Sequence, residues 1–346
     1  MVDIITLENE YDPVATDLQA YFQSGNINFL IGSGASMPAI QVAGNIEAEI
    51  NELIEAGDEP EANLISLNFI EAIEATCMSI KSHDLLGSPV DETFRNYKRL
   101  LEIVDRILFE RKSNLLPRQA NIFTTNYDTF IEHAAADLPT LILNDGFDRS
   151  SAIDGTFSFA PELYFDRTYR SGTVYNRPTE VPTINLLKIH GSLTWQSTDA
   201  GICYNRKSIT ALTDPEKAVP ETVSESLNKR ALILPNVGKF HSTLLDRTYY
   251  DLLRMFANAI DRENALLVAF GFSFADEHIF DITKRALRNP TAQLLIFAFN
   301  SAAVTGFQVK FAQHRNVKII APTAAQVINF ECFNTLLESI PPVLKS

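Results

Sequence analysis

Several short polar clusters in this chain stand directly after apolar runs, and their residue types could do chemistry together. The run that begins at Asn26 ends in GSGAS, Gly32 to Ser36. There glycines permit close backbone approach, and the hydroxyls of Ser33 and Ser36 add donors, as a cradle for a diphosphate requires. The stretch IFTTNYDTF, Ile122 to Phe130, runs into Thr124, Thr125, Asn126 and Asp128. The run from Ile184 ends in KIHGS, Lys188 to Ser192, and so presents His190. A histidine side chain is the type best suited to proton exchange near neutral pH. Two further runs end in GFSFADEH, Gly271 to His278, and in Asn300.

Each cluster also has a plainer reading. Gly32-x-Gly34 lacks the third glycine of the usual dinucleotide fingerprint and reads equally as a turn. His190 reads as a core histidine with satisfied ring nitrogens, and Asn126 as the cap of a helix that begins near Asp128. Gly271 reads as a turn glycine, with Asp276 capping the next helix. Convergence favours chemistry: in an open parallel sheet, ligands sit beyond the carboxyl ends of the strands, and all of these clusters stand at strand ends.

The elements that must position them follow from the hydrophobic pattern. Asn26 to Gly32, Asn121 to Asn126, Thr140 to Asn144, Ile184 to His190, Ala231 to Asn236, Ala265 to Ser273, Ala292 to Asn300 and Asn316 to Pro322 are short apolar runs. Their continuous hydrophobicity is that of strands covered on both faces. Helical periodicity lies between several of them, over Leu244 to Arg262 and Asp276 to Leu287. Strands alternating with helices predict an α/β fold, a parallel sheet wrapped by helices. Ile46 to Lys112 holds helical patterns over Leu64 to Ile80 and Thr93 to Phe109, and reads as an inserted helical subdomain. Phe147 to Pro182 is rich in Tyr, Arg, Ser and Pro and reads as a long loop or small irregular module, a lid or an interface.

With 346 residues and 46% hydrophobic content, the expectation is a single domain, residues 1–346, with subdomains folded into it. No run reaches the roughly 18 apolar residues of a membrane span, and Met1 to Glu10 is acidic where a signal peptide begins basic. A cytoplasmic protein is predicted. Cys77, Cys203 and Cys332 are odd in number and cannot supply a four-cysteine zinc site. The net charge of −14 argues against direct nucleic-acid binding by the chain alone. Lys284, Arg285 and Arg288 read as a solvated helix face.

In their order and approximate spacing, GSGAS, TTNYD, KIHGS, GFSFADEHI and AFN resemble the sirtuin fold. The likeness is strongest to the bacterial branch of sirtuin-like, NAD-consuming defence proteins, and it covers about Asn28 to Asn300. The resemblance implies a Rossmann-like sheet with helices on both faces. It also implies that Gly32, Ser33, Gly34, Ala35 and Ser36 hold the NAD diphosphate. Thr125, Asn126 and Asp128 fall on the polar strand end, where the asparagine faces the nicotinamide ribose and the aspartate supports the nicotinamide pocket. His190 matches the catalytic histidine. Gly271 and Ser273 match a turn at the diphosphate and adenosine ribose, and Asn300 an asparagine near that ribose.

The departures bear on the activity. Sirtuin deacylases carry a zinc ribbon of two cysteine pairs after the histidine, whereas here only Cys203 and Cys332 follow His190. The resemblance therefore implies no zinc and makes water the simplest acceptor, giving an NAD+ hydrolase with Asn126 and His190 as catalytic residues. Such activity needs restraint, which by analogy comes from a homo-oligomer or a partner. A HerA-type hexameric ATPase fits best, with short-Argonaute partners behind it. A NAD-dependent protein deacylase, a sensor binding NAD or ADP-ribose, and a nuclease subunit of a DNA-translocase complex stay open as alternatives.

Overall fold

The computed structural model of the chain describes residues 2–7, 12–42, 44–80, 86–111, 116–150, 156–172, 178–199, 201–205, 209–234, 243–323 and 326–341. The strands in the first half are β1 (Asp3–Leu7), β2 (Asn26–Ile31), β3 (Gln119–Thr124), β4 (Ile142–Asn144), β5 (Phe147–Asp148), β6 (Thr156–Phe159), β7 (Tyr169–Ser171) and β8 (Pro178–Glu180). After them come β9 (Thr183–Lys188), β10 (Gly191–Thr198), β11 (Gly201–Asn205), β12 (Arg230–Leu232), β13 (Ala265–Phe270), β14 (Gln293–Phe297) and β15 (Val317–Pro322). The helices up to the middle of the chain are α1 (Asp12–Ser24), α2 (Gly44–Glu55), α3 (Glu59–Met78), α4 (Pro89–Phe109) and α5 (Phe130–Ala136). The later ones are α6 (Asp214–Lys217), α7 (Pro220–Asn228), α8 (Thr243–Ile260), α9 (Glu277–Ala286), α10 (Ser301–Lys310) and α11 (Phe330–Glu338).

The eight-stranded sheet has the order β1-β15-β14-β13-β2-β3-β9-β4, and its pairs run parallel. Alternate residues of the inner strands serve two cores. Val268 and Phe270 join a core built with α1, α4, α5 and α11, while Leu267 and Ala269 join one built with α8, α9 and α10. Covering on both faces explains why the strands read as unbroken apolar runs. In α4, Phe94, Tyr97, Leu101, Val104 and Leu108 form its buried stripe. Ser88 caps the helix by accepting from Asp91 N at 3.3 Å, and Pro89 opens its first turn.

Polar residues interrupt the apolar pattern once on the α8 side. Asn28, Asn121, Asn185 and Asn144 stand in register on β2, β3, β9 and β4. Their amides donate from strand to strand at 2.8, 2.9 and 3.1 Å, so each bond pairs one side-chain N–H with the amide oxygen of the next strand.

Two expectations about strands need correction. Ala231 to Asn236 does not join the parallel sheet: β12 pairs antiparallel with β10 in a second sheet, β12-β10-β11-β6-β5, and Pro235 and Asn236 lie outside the described residues. Its partner β10 begins at Gly191, directly after His190. The parallel strand that takes the vacated place in the count is β1, a largely exposed edge strand that opens on Asp3 and pairs with β15. Such a strand lacks the double-sided burial that marks the others. Phe147 to Pro182 contains β5, β6, β7 and β8, with its residues 151–155 and 173–177, Tyr175 included, outside the described residues.

Strand order reverses between β13 and β2, since the chain proceeds from β2 to β3 on one side and from β13 to β14 and β15 on the other. At this crevice the backbones nearly touch. Gly32 N donates to Phe270 O and Gly34 N to Gly271 O, both at 3.0 Å. Gly271 has φ +64°, and a Cβ there would lie 2.4 Å from Ala35 N. We expect Gly271→Ala to cost more than about 2 kcal/mol, from left-handed strain plus the clash. Gly306→Ala in α10, where a Cβ meets nothing within 4 Å, should instead stabilise by about 0.5–1 kcal/mol. Denaturant midpoints of the two variants check this.

Candidate functional site

The predicted residues gather at the carboxyl edge of the sheet around that crevice. Ser33–Ser36 forms a single 3-10 turn after β2. Ser33 is exposed and Gly34 half-buried, whereas Ala35 and Ser36 are buried. Ser36 is an internal brace: its hydroxyl donates to Asp128 Oδ2 at 2.6 Å and meets Tyr97 Oη at 2.9 Å. Asp128 thus faces Ser36, and its other oxygen accepts from Phe130 N at 3.3 Å at the start of α5. Thr124 accepts from Asn126 N at 3.0 Å, while Thr125 is half-buried beside it.

Asn126 is 8% exposed and does not cap α5, whose cap position is Thr129. Its Nδ2 donates to Gly32 O at 3.1 Å, to Ser36 Oγ at 3.1 Å and to Tyr97 Oη at 3.4 Å. A backbone carbonyl can only accept, so the amide orientation follows from Gly32. Its Oδ1 is then left buried without a partner among the described residues. An orphaned buried acceptor costs about 1–3 kcal/mol, and a donor supplied by a ligand relieves that cost.

His190 stands where the chain turns from β9 into β10. Gly191, at φ +85°, makes the turn, and His190 O accepts from Ile233 N at 2.9 Å. The ring reaches across the edge to Asp276, with Nε2 3.1 Å from Oδ2. An ionised carboxylate only accepts, so Nε2 carries the hydrogen and neutral His190 keeps Nδ1 as its free lone pair. Asp276 also caps α9 through Ile279 N at 2.9 Å. Burial pushes the Asp276 carboxyl up, but hydrogen bonds from His190 and Ile279 outweigh it and hold the group below the usual carboxylate range. Glu47 shares this electrostatic neighbourhood: desolvation pushes its carboxyl up, with His190 pulling against and Asp276 adding to the rise.

The opposite wall is the turn after β13. Gly271 abuts Gly34, and Ser273 is exposed, its hydroxyl accepting from Ala275 N at 3.3 Å. Phe274 takes φ +54° and is held by edge contacts with Phe272 and Phe311 and by Lys310, which donates to its carbonyl at 2.6 Å. Asn300 follows β14 and caps α10 through Ala303 N at 2.9 Å. Asn126, Ser36, Asp128 and Gly32 form one bonded knot, Gly271 touches it, and His190 bridges toward Asp276 across the strands between. Ser273 and Asn300 stand at the same edge without a side-chain contact to that knot among the described bonds.

Three members of this arrangement escaped the sequence reading. Tyr97 lies on the apolar stripe of α4 with nothing to distinguish it. Asp276 was legible only as a cap. Lys188 did carry a signal, a lysine inside an apolar strand. It is 2% exposed, 2.7 Å from Glu132 and 2.9 Å from Ser192 Oγ, and it also donates to Asp128 O. Burial pushes the Glu132 carboxyl up, with Lys188 opposing the rise. Among the described residues there is no group of three or more His, Cys, Asp or Glu side chains placed to hold a metal, and no helix is long and apolar enough to cross a membrane.

Two stability measurements follow from these pairs. Lys188→Met leaves Glu132 buried and unpaired and should cost about 3–5 kcal/mol, with Lys188→Met/Glu132→Gln recovering a large part. For Asp276 the lowered folded pKa contributes stability that is full above the ordinary aspartate value and lost as pH falls through the folded one. Asp276→Asn should therefore lower the denaturant midpoint at pH 7, and its gap from the parent should close as pH falls from about 5 towards 3.

A comparison with curated proteins returned no match. A family model, described as SIR2-like domain, matches residues 120–320 and so takes in β3 to β15 with the polar ends after β3, β9, β13 and β14. SIR2-like domains are typically NAD-using enzymes, and the helix-flanked parallel sheet agrees with their Rossmann-like fold. This chain belongs to the SIR2-like domain family.

Proposed function

We infer that the chain is an NAD+ glycohydrolase that cleaves the nicotinamide–ribose bond to release nicotinamide and ADP-ribose. The observation that carries this reading is Asn126 Oδ1, a buried acceptor beside the glycine crevice without a partner among the described residues. A ribose hydroxyl is a donor of the right kind for it. The exposed Ser33 and the half-buried Gly34 and Gly271 line the same crevice, where backbone approaches too closely for a Cβ. That bareness suits a diphosphate. Thr125 and Asp128 would border the nicotinamide end, and Ser273 and Asn300 the adenosine ribose, with Ser36 and Ala35 supporting from beneath.

The chemistry asks little of the protein. The pyridinium charge already activates the bond, so cleavage through an oxocarbenium-like transition state needs less acid assistance than an ordinary glycoside. Nicotinamide leaves with the bonding electron pair, water adds to the ribose carbon, and its proton passes to Nδ1 of His190. Asp276 fixes the tautomer that leaves Nδ1 free. Asn126 holds the ribose in an attack-ready position.

Such an enzyme depletes its own cell's NAD, and we assign it to bacterial antiphage defence, held latent by a homo-oligomer or by a HerA-type ATPase partner. This part of the reading rests on analogy of layout. Protein deacylation is the second reading, since the same cofactor residues would serve it.

The purified chain should be incubated with NAD, alone and with its genomic neighbour, while nicotinamide and ADP-ribose are followed by chromatography. Asn126→Ala and His190→Ala, with unfolding midpoints checked, should each slow nicotinamide release by about a hundredfold or more. Release at the parent rate by folded His190→Ala would sink the assignment. Nicotinamide formed only with an acetyl-lysine peptide would favour deacylation.

A further inference from the structure

A cavity of about 260 Å³ opens at the other end of the strands, lined by the amino-terminal halves of β2, β3 and β9, the end of α8 and the segment around Tyr164 to Arg167. It shares no lining residue with the crevice. Its floor is the asparagine ladder. A primary amide has two N–H donors. Asn28 spends its own on the carbonyls of Asn26 and Leu266. Asn121 and Asn185 each use one donor within the ladder, and among the described residues the second has no partner. Both side chains lie on the cavity wall, and Asn185 is 3% exposed.

The rim is cationic and aromatic in a chain whose net charge is −14. Arg262 is exposed there, with no ion pair among the described residues, and Arg167 comes only within 4.0 Å of Glu180. Phe165, 66% exposed, presents a ring at the same mouth, above the buried Tyr164. Spare amide donors at the floor require hydrogen-bond acceptors, two guanidinium groups at the rim suit a phosphate, and an uncovered aromatic ring offers a face to a planar group. The cavity volume falls just below the roughly 300–1,000 Å³ of common small-molecule sites, which suits a ligand of mononucleotide size.

We propose that this cavity, formed by the asparagine ladder under Arg167, Arg262 and Phe165, is a second ligand site that takes a nucleoside monophosphate. The phosphate lies at the two arginines, the base against Phe165, and base or ribose acceptors take the amide N–H groups of Asn121 and Asn185. The site stands apart from the proposed NAD chemistry and does not depend on it.

Isothermal titration of AMP, ribose 5-phosphate and inorganic phosphate into the full chain tests the assignment. AMP should bind at one site per chain and more tightly than ribose 5-phosphate, which lacks the ring. Arg262→Ala and Arg167→Ala are changes at exposed positions. Each should weaken AMP by about tenfold, the loss of one charge-assisted contact, with the thermal midpoint and nicotinamide release unchanged. The proposal fails if AMP does not bind at millimolar concentration. It fails equally if AMP binds with the parent affinity in both arginine variants, which would place it elsewhere, or if inorganic phosphate binds as tightly as AMP, which would make this an ion site only.

Discussion

The carboxyl edge of this protein depends on one contact between two stretches of bare backbone. Gly32 and Gly34 on one side and Gly271 on the other approach within hydrogen-bonding range, and no side chain fits between them. The sheet changes direction at that point. Because the turn after β2 and the turn after β13 are locked together, the residues that follow each have fixed positions. Asn126 anchors to Gly32, and Asp276, five residues beyond Gly271, comes within reach of His190. Loosening the glycine contact would move both walls of the site together.

Beneath the edge lies a polar layer whose cost is met by mutual satisfaction. Tyr97 from α4, Ser36, Asp128 and Asn126 share hydrogen bonds, and Lys188 with Glu132 sits behind Asp128. Burial pushes the Tyr97 hydroxyl well above its ordinary range, so it stays neutral and serves as a hydrogen-bonding strut. Buried networks of this kind hold geometry when complete and are costly when broken. Tyr97 also ties the helical stretch between β2 and β3 to the site, although that stretch has no polar motif of its own. The Cys77 thiol lies against the same layer, accepts from Thr129 N at 3.4 Å and is pushed up to about 12 by burial, which leaves it unreactive.

Much of this was legible from local pattern. Strands buried on both faces announce themselves as apolar runs, and the polar residues that end them, from Gly32 to Asn300, do share one edge of one sheet. What was not legible has a common cause. β1 is a largely exposed edge strand that opens on Asp3, so it lacks the double-sided signature. The link between His190 and Asp276 spans 86 residues and that between Ser36 and Tyr97 spans 61, whereas periodicity reports only neighbours a few residues apart. Asp276 explained itself as a helix cap, and that sufficient local reason concealed its second contact. The antiparallel sheet was hidden because β5, β6 and β12 span only two to four residues each, too short to show alternation.

The pairing of β1 with β15 bears on how the molecule is made. Ile4 lies opposite Ile319 and Ile5 opposite Ile320, so β1, once made, waits for β15. Until then β14 offers an unpaired edge to solvent, and β1 has no sheet to join. Pairings this distant in sequence are slow to form, and an open edge recruits other chains in the interval. The sheet thus stays incomplete from the making of β1 to the making of β15, and assembly of the nascent chain is most exposed to error just before β15 arrives.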